Sequence, residues 1–268
     1  MTDRAAGAVG SLLRDWRQRR NLSQLDLAGL AGVSARHVSF VETGRARPSR
    51  EMVLHLAEEL DVPLRERNAL LVAAGFAPVY RERRIDAPEM GPVRDALDAL
   101  LKGHEPYPAI VCDRLWNLVS ANAMSWVLVE GVDPDLLAPP VNVLRVSLHP
   151  QGLAPRVRNL AEVSSHLLTR LRRQVHLTGD QDAADLYDEL VAYPGVSTEV
   201  PASEIEGPSA VVLPVRYAVR DRELALFSTI ATFGTPIDVT LAELVIEAFF
   251  PADDATAATL REWAGVSV

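Results

Sequence analysis

Six histidines and a single cysteine are the chain's most obvious chemical resources. His37, His55, His104, His149, His166 and His176 fall at no spacing that would bring two imidazoles and a carboxylate onto one metal ion. His104-Glu105 begins like a zinc-peptidase helix, but Pro106-Tyr107-Pro108 breaks the turn on which the second histidine would have to sit. His166 and His176 share one long helical stretch, yet at about 100° per residue they end about 80° apart around it. There is no glycine-rich phosphate loop and no nucleophile elbow. Cys112 alone excludes an internal disulfide and any multi-cysteine metal site, and inside an apolar run it reads as buried filler rather than a redox sensor. These residue types argue against an enzyme, and neither a metal nor a cofactor is expected.

A different chemistry is concentrated near the start. Residues 1–50 hold 9 Arg against 4 acids, on a chain whose net charge is −9. Residues 1–85 carry +4 and residues 86–268 carry −13. An acidic protein is repelled by a phosphate backbone, so a basic segment in such a chain marks where nucleic acid would be met. Within it, a helix over Ala35–Glu42 turns Val38 and Val41 inward and leaves Arg36, His37, Ser39 and Phe40 exposed. Arginine can pair bidentately with guanine, and phenylalanine can touch a thymine methyl.

The elements that must position those side chains are short amphipathic helices. Val9 to Arg20 places Leu12, Leu13 and Trp16 on one face and arginines around the rest. Ser23 caps a helix from Gln24 to Ala31 that buries Leu27, Ala28 and Leu30. Gly32 supplies a left-handed turn, Ser34 caps the next helix, and Gly44 ends it. Two helices joined this way describe a helix-turn-helix. Helices at Arg50–Leu60 and from Pro63 through Ala74 complete a five-helix, all-α domain over residues 1–80, followed by a charged linker over 81–92.

The run Ser23-Gln24-Leu25-Asp26-Leu27-Ala28, Ala31-Gly32-Val33-Ser34, Val38-Ser39-Phe40-Val41-Glu42-Thr43-Gly44-Arg45 and Pro48-Ser49 resembles the Xre/Cro-type helix-turn-helix over about 65 residues. The resemblance implies that Gln24 bonds a phosphate at a helix N-terminus, that Arg36 and Phe40 read bases, and that His37 reaches a base or a phosphate. Ser34, Thr43 and Arg45 complete the set of DNA-contacting positions, and Arg17 pairs with Glu42 as a structural ion pair. Ala35 departs from the polar residue often found there. Such proteins bind double-stranded DNA as homodimers on paired half-sites.

Residues 93–268 alternate strand and helix signals. Ala109–Asp113 and Leu115–Ser120 suggest a hairpin, Asn122–Val129 a helix with Trp126 on its apolar side, and 156–178 the longest helix. In that helix Leu160, Val163, Leu167, Leu168, Leu171 and Val175 form an apolar stripe against Arg170, Arg172 and Arg173. Ala210–Val219, Glu223–Phe233 and Val239–Phe250 read as further strands, and a closing helix runs through Trp263. Five antiparallel strands with helices on one side make an α+β domain. Pro108-Ala109-Ile110-Val111, Trp116-Asn117, Ala121-Asn122-Ala123, Leu171-Arg172-Arg173, Phe233-Gly234-Thr235-Pro236 and Phe249-Phe250-Pro251-Ala252-Asp253 are similar to the MmyB-like transcription regulators. The resemblance implies a PAS-like domain acting as a ligand-binding sensor. Trp116, Trp126, Tyr217, Phe227 and Phe233 could line its cavity, with Asn122 or Arg145 as a polar anchor for a fatty-acid-like molecule. Taken singly, each aromatic reads first as ordinary core.

With 48% hydrophobic and 24% charged residues the chain can bury two cores. No run approaches the roughly 20 apolar residues of a membrane span, and the first residues lack a secretory signal, so a cytoplasmic protein is expected. The function that fits is ligand-responsive transcription control; the alternative is a DNA-binding protein whose C-terminal domain docks a protein and takes no small ligand.

Overall fold

The computed structural model describes residues 2–199 and 212–265. They form two compact units: one of residues up to Arg83 joined by 176–178 and 235–242, the other holding the rest.

The first unit contains α1 (Thr2–Arg19), α2 (Gln24–Leu30), α3 (Ala35–Glu42), α4 (Arg50–Glu59) and α5 (Leu64–Ala73). Serines do the starting. Ser23, Ser34 and Ser49 each accept a backbone N–H from the third residue beyond, and Ser23 forms a full capping box with Asp26. Gly32 and Gly44 take left-handed φ values of 61° and 71° where α2 and α3 end. The core is built from Val9, Leu13, Trp16, Leu27, Ala28, Val38, Val41 and the inward residues of α4 and α5. Leu30, read as inward, is 53% exposed, and Leu12 is 37% exposed. Leu27 and Ala28 already fill the short inner face of a seven-residue helix, leaving Leu30 beyond its edge. Late in the chain, Val239 donates its N–H to Arg81 O (2.8 Å), Thr240 Oγ1 donates to Arg83 O (2.6 Å), and Arg83 pairs with buried Asp238 at 2.7 Å.

The second unit is a five-stranded antiparallel sheet: β1 (Ala109–Cys112), β2 (Leu118–Ala121), β3 (Val215–Val219), β4 (Arg222–Ala231) and β5 (Val245–Pro251) in the order β2-β1-β5-β4-β3. Its helices are α6 (Gly91–Gly103), α7 (Ala123–Leu128), α8 (Val143–Leu148), α9 (Leu160–Thr178), α10 (Gln181–Val191) and, after a short α11 (Val239–Ala242) that belongs to the first unit, α12 (Asp254–Trp263). The single strand expected over 239–250 is therefore a helical turn followed by β5. Val239–Ala242 begins after Asp238, whose carboxylate accepts the Thr240 N–H as a cap. The strand expected from Ala210 begins at Val215; Ala210 and Val211 lie outside the described residues.

Registers Ile110↔Glu247 and Ser228↔Phe249 put those four side chains on one face, because opposed residues of an antiparallel pair share a face. Phe227 and Phe250 face the other way and stack 5.5 Å apart. The His104 ring at the end of α6 packs edge-on against Phe250 at 4.8 Å, so helices contribute to both faces rather than one. The β1–β2 turn is held by Asp113, whose carboxylate accepts the backbone N–H groups of Leu115 and Asn117. That turn carries Trp116 at a left-handed φ of 65°.

Candidate nucleic-acid interface and cavity

The helix-turn-helix is locked from behind by an ion pair. Arg17 on α1 donates Nε to Glu42 Oε1 (2.6 Å) and Nη2 to Oε2 (2.9 Å), at the end of α3. Its Nη1 donates to Leu22 O (2.7 Å), and Gln24 Nε2 donates to Glu42 Oε2 (2.8 Å). Both charged side chains are almost wholly buried, at 9% and 2% exposure. Burial opposes the charge on Glu42, but the hydrogen bonds from Arg17 and Gln24 together with the charges of Arg17 and Arg14 outweigh it and hold the carboxyl below its usual range. The pairing expected from the sequence is present. It also takes one of the two N–H donors of Gln24 Nε2, so the second N–H is what remains to donate to a phosphate.

On the other side of α3, Arg36 is exposed and its guanidinium lies 5.0 Å above the Phe40 ring; that of Arg45 lies 6.0 Å from the same ring. Phe40 is half-buried rather than exposed, with two guanidinium groups beside its ring, and His37 and Ser39 are half-buried too. Ser34 Oγ accepts the His37 N–H (3.1 Å), and Thr43 Oγ1 donates to Ser39 O (2.7 Å). Arg36, His37, Phe40, Thr43 and Arg45 thus lie on α3 and its exit turn, with Ser34 at its start and Gln24 at the start of α2. Two cations flank one aromatic ring in the last turn of α3, a set of groups with the chemistry to meet phosphate, guanine and a thymine methyl.

The second unit holds two neighbouring cavities on the sheet face of Ile110, Glu247 and Phe249. One, of about 90 Å³, is almost entirely apolar, with Leu118, Leu128, Val129, Leu137 and Val146 in its wall. The other, of about 310 Å³, runs between that face and α9. Ile110, Val143, Ser147, Tyr217 and Phe249 line both. The larger one also has a polar wall of Arg170, His166, Glu247 and Ser228.

Of the residues assigned to a pocket from sequence, Tyr217 lines both cavities, and burial pushes its phenol up. Trp126 lines the smaller one while remaining 48% exposed, on the outer rather than the apolar side of α7. The other five line neither. Trp116 is core, packed with Leu148, Leu168 and Leu171, its indole donating to Gln174 (3.0 Å). Phe227 faces away by the parity of β4. Asn122 caps α7, accepts the Ala109 N–H and donates to Tyr107 O. Arg145 is engaged bidentately by Glu189 at 2.8 and 2.7 Å. Phe233 lies beyond the end of β4, half-buried. Sequence reasoning missed Arg170. Placed on the polar side of α9, it turns inward, its guanidinium 4.0 Å from the Trp116 ring. Its spacing of seven from Val163 carried that signal, since seven residues are nearly two full turns.

Among the described residues no group of His, Cys, Asp and Glu could hold a metal, and no helix is long and apolar enough to cross a membrane. The family models "Helix-turn-helix" and "MmyB-like transcription regulator ligand binding domain" match residues 13–67 and 93–262. No curated protein matches. Among solved structures, the restriction-modification controller protein C.AhdI from Aeromonas hydrophila is 37% identical over 23% of this chain and 94% of its own, with a TM-score of 0.22. The clp gene regulator ClgR from C. glutamicum is 25% identical over 26% of this chain and 88% of its own, with a TM-score of 0.24. The chain therefore belongs to the MmyB-like transcription regulators, with a helix-turn-helix ahead of their ligand binding domain.

Proposed function

We propose that this regulator reads operator bases with α3 and that its affinity for DNA answers to a small apolar ligand held in the C-terminal cavity. The observation that carries the ligand is a cavity of about 310 Å³ beside an apolar neighbour with which it shares five wall residues. That volume is at the lower end of those that enclose small molecules, and walls of Leu, Val, Ile and Phe favour a chain-like apolar ligand such as a fatty acid. On the DNA side, Arg36 and Phe40 face bases, His37 a base or phosphate, and Gln24, Ser34, Thr43 and Arg45 the backbone, with two copies of the chain meeting two half-sites.

Native against denaturing mass spectrometry on freshly purified protein tests the ligand and the dimer together. A dimer that carries a few hundred extra daltons lost on denaturation supports both. Thermal unfolding with saturating decanoate should then rise, because a ligand at 100 times its Kd adds about 2.7 kcal/mol to the folded state. A bare mass with no shift from any apolar carboxylate would transfer the C-terminal domain to the protein-docking reading and leave DNA binding untouched.

A further inference from the structure

The polar wall of the larger cavity is not furnished for a bare carboxylate. Arg170 presents its guanidinium there with few protein partners: Nη1 reaches Glu247 Oε1 only at 3.7 Å, and Nη2 is buried with no hydrogen-bond partner among the described residues. A guanidinium has five N–H donors, and leaving a buried one such as Nη2 unmet costs more than leaving a neutral donor unmet. Trp116 covers one face of the group but accepts no hydrogen bond in the plane of the fork. An anionic or strongly accepting head group is what such a donor would bond.

A second charge stands beside it. Glu247, on the central strand and only 8% exposed, accepts the Ser228 hydroxyl (2.6 Å) and sits on the same wall as Arg170. A plain carboxylate drawn to Arg170 would bring its negative charge against that of Glu247 in a low-dielectric space, where like charges a few ångströms apart repel strongly. A head that also carries a hydrogen-bond donor turns the same neighbour into an acceptor. The apolar cavity shares five wall residues with the larger one and has no comparable polar group, so head and tail have separate, adjacent places.

Resting on the ligand-sensing reading, we propose that the two cavities form one bipartite site for an amphiphile whose head joins a carboxylate to a hydroxyl, a hydroxyalkanoate rather than an unsubstituted alkanoate. The carboxylate meets Arg170, the hydroxyl donates to Glu247, and the alkyl chain enters the apolar compartment past Tyr217 and Phe249.

Titration of the full-length protein with decanoate, 3-hydroxydecanoate and 1-decanol, followed by calorimetry, tests this. The expected order is 3-hydroxydecanoate at least tenfold tighter than decanoate. Glu247→Gln should narrow that gap to within threefold by strengthening decanoate. Arg170→Gln should bring both acids down to the level of 1-decanol. Equal binding of the two acids to the unmodified protein overturns the head-group assignment and leaves the apolar cavity standing. Binding of none of the three overturns the ligand-sensing reading itself. The comparison within the unmodified protein stands even if a variant fails to fold.

Discussion

Removing the carboxylate of Glu42 should loosen the helix-turn-helix far more than removing an exposed charge would. In Glu42→Ala, Arg17 loses both short contacts and keeps only Leu22 O as an acceptor, while Gln24 loses its partner. The stranded guanidinium is 9% exposed, so water cannot replace what is lost. Breaking a buried pair by one partner costs about 3–5 kcal/mol, whereas replacing both by apolar groups is often neutral or stabilising. Since about 1.4 kcal/mol is a tenfold change in an equilibrium constant, amides of α1 and α3 should exchange hydrogen about two to three and a half orders of magnitude faster in Glu42→Ala. Exchange followed by mass spectrometry confines the readout to these helices, which global unfolding of a two-unit chain would blur. The pair Arg17→Met with Glu42→Leu should recover most of the protection. Near-normal exchange in Glu42→Ala, or a double variant as loose as the single one, would refute the reasoning.

Other outcomes follow from the same geometry. Arg36→Ala should weaken specific binding by about 1–3 kcal/mol and relax base preference, while Arg45→Ala should weaken all sequences alike and flatten the salt dependence; binding to a library of operators separates the two. In Gly10→Ala a Cβ would stand 2.7 Å from the Glu42 carbonyl oxygen and nearer still to that of Val41, so overpacking should cost about 1–3 kcal/mol in a thermal melt. Cys112 is fully buried and burial pushes its thiol up, so it should resist thiol reagents until the sheet opens in denaturant. Glu42 is held below its ordinary value of 4.5, so its contribution to stability is present above that value and disappears as pH falls through the lowered one. Protection of α1 and α3, corrected for intrinsic exchange, should therefore hold at about pH 5 and collapse only at more acidic pH.

The N-terminal unit was readable because its signals are local. Ser23, Ser34, Gly32 and Gly44 mark helix ends by chemistry that acts within one turn, and even the Arg17–Glu42 pair followed from a motif. Leu30 shows where that stops: hydrophobicity says a side chain would rather be buried, but only the neighbouring helices decide whether room remains. The sheet demanded non-local knowledge. Whether Phe227 faces the cavity depends on the register between β4 and β5, and a shift of one residue would reverse it. Arg170 was misplaced because its charge was weighed above its spacing; a guanidinium can be buried when an aromatic ring and a carboxylate are there to receive it. Nor does any residue pattern encode a cavity, since empty space is what side chains fail to fill.

The late segment Thr235–Ala242, which belongs to the helical unit, bears on how the protein is made. Asp238 is 155 positions beyond the arginine it pairs with. At about 5–20 residues per second, roughly 8–30 s of synthesis separate Arg83 from Asp238. The five N-terminal helices can collapse as soon as they leave the ribosome, but their last hydrogen bonds wait for most of the sensor to be translated. A prematurely terminated chain would therefore carry an unfinished DNA-binding unit, and a fragment cut at the linker would be the same unfinished object.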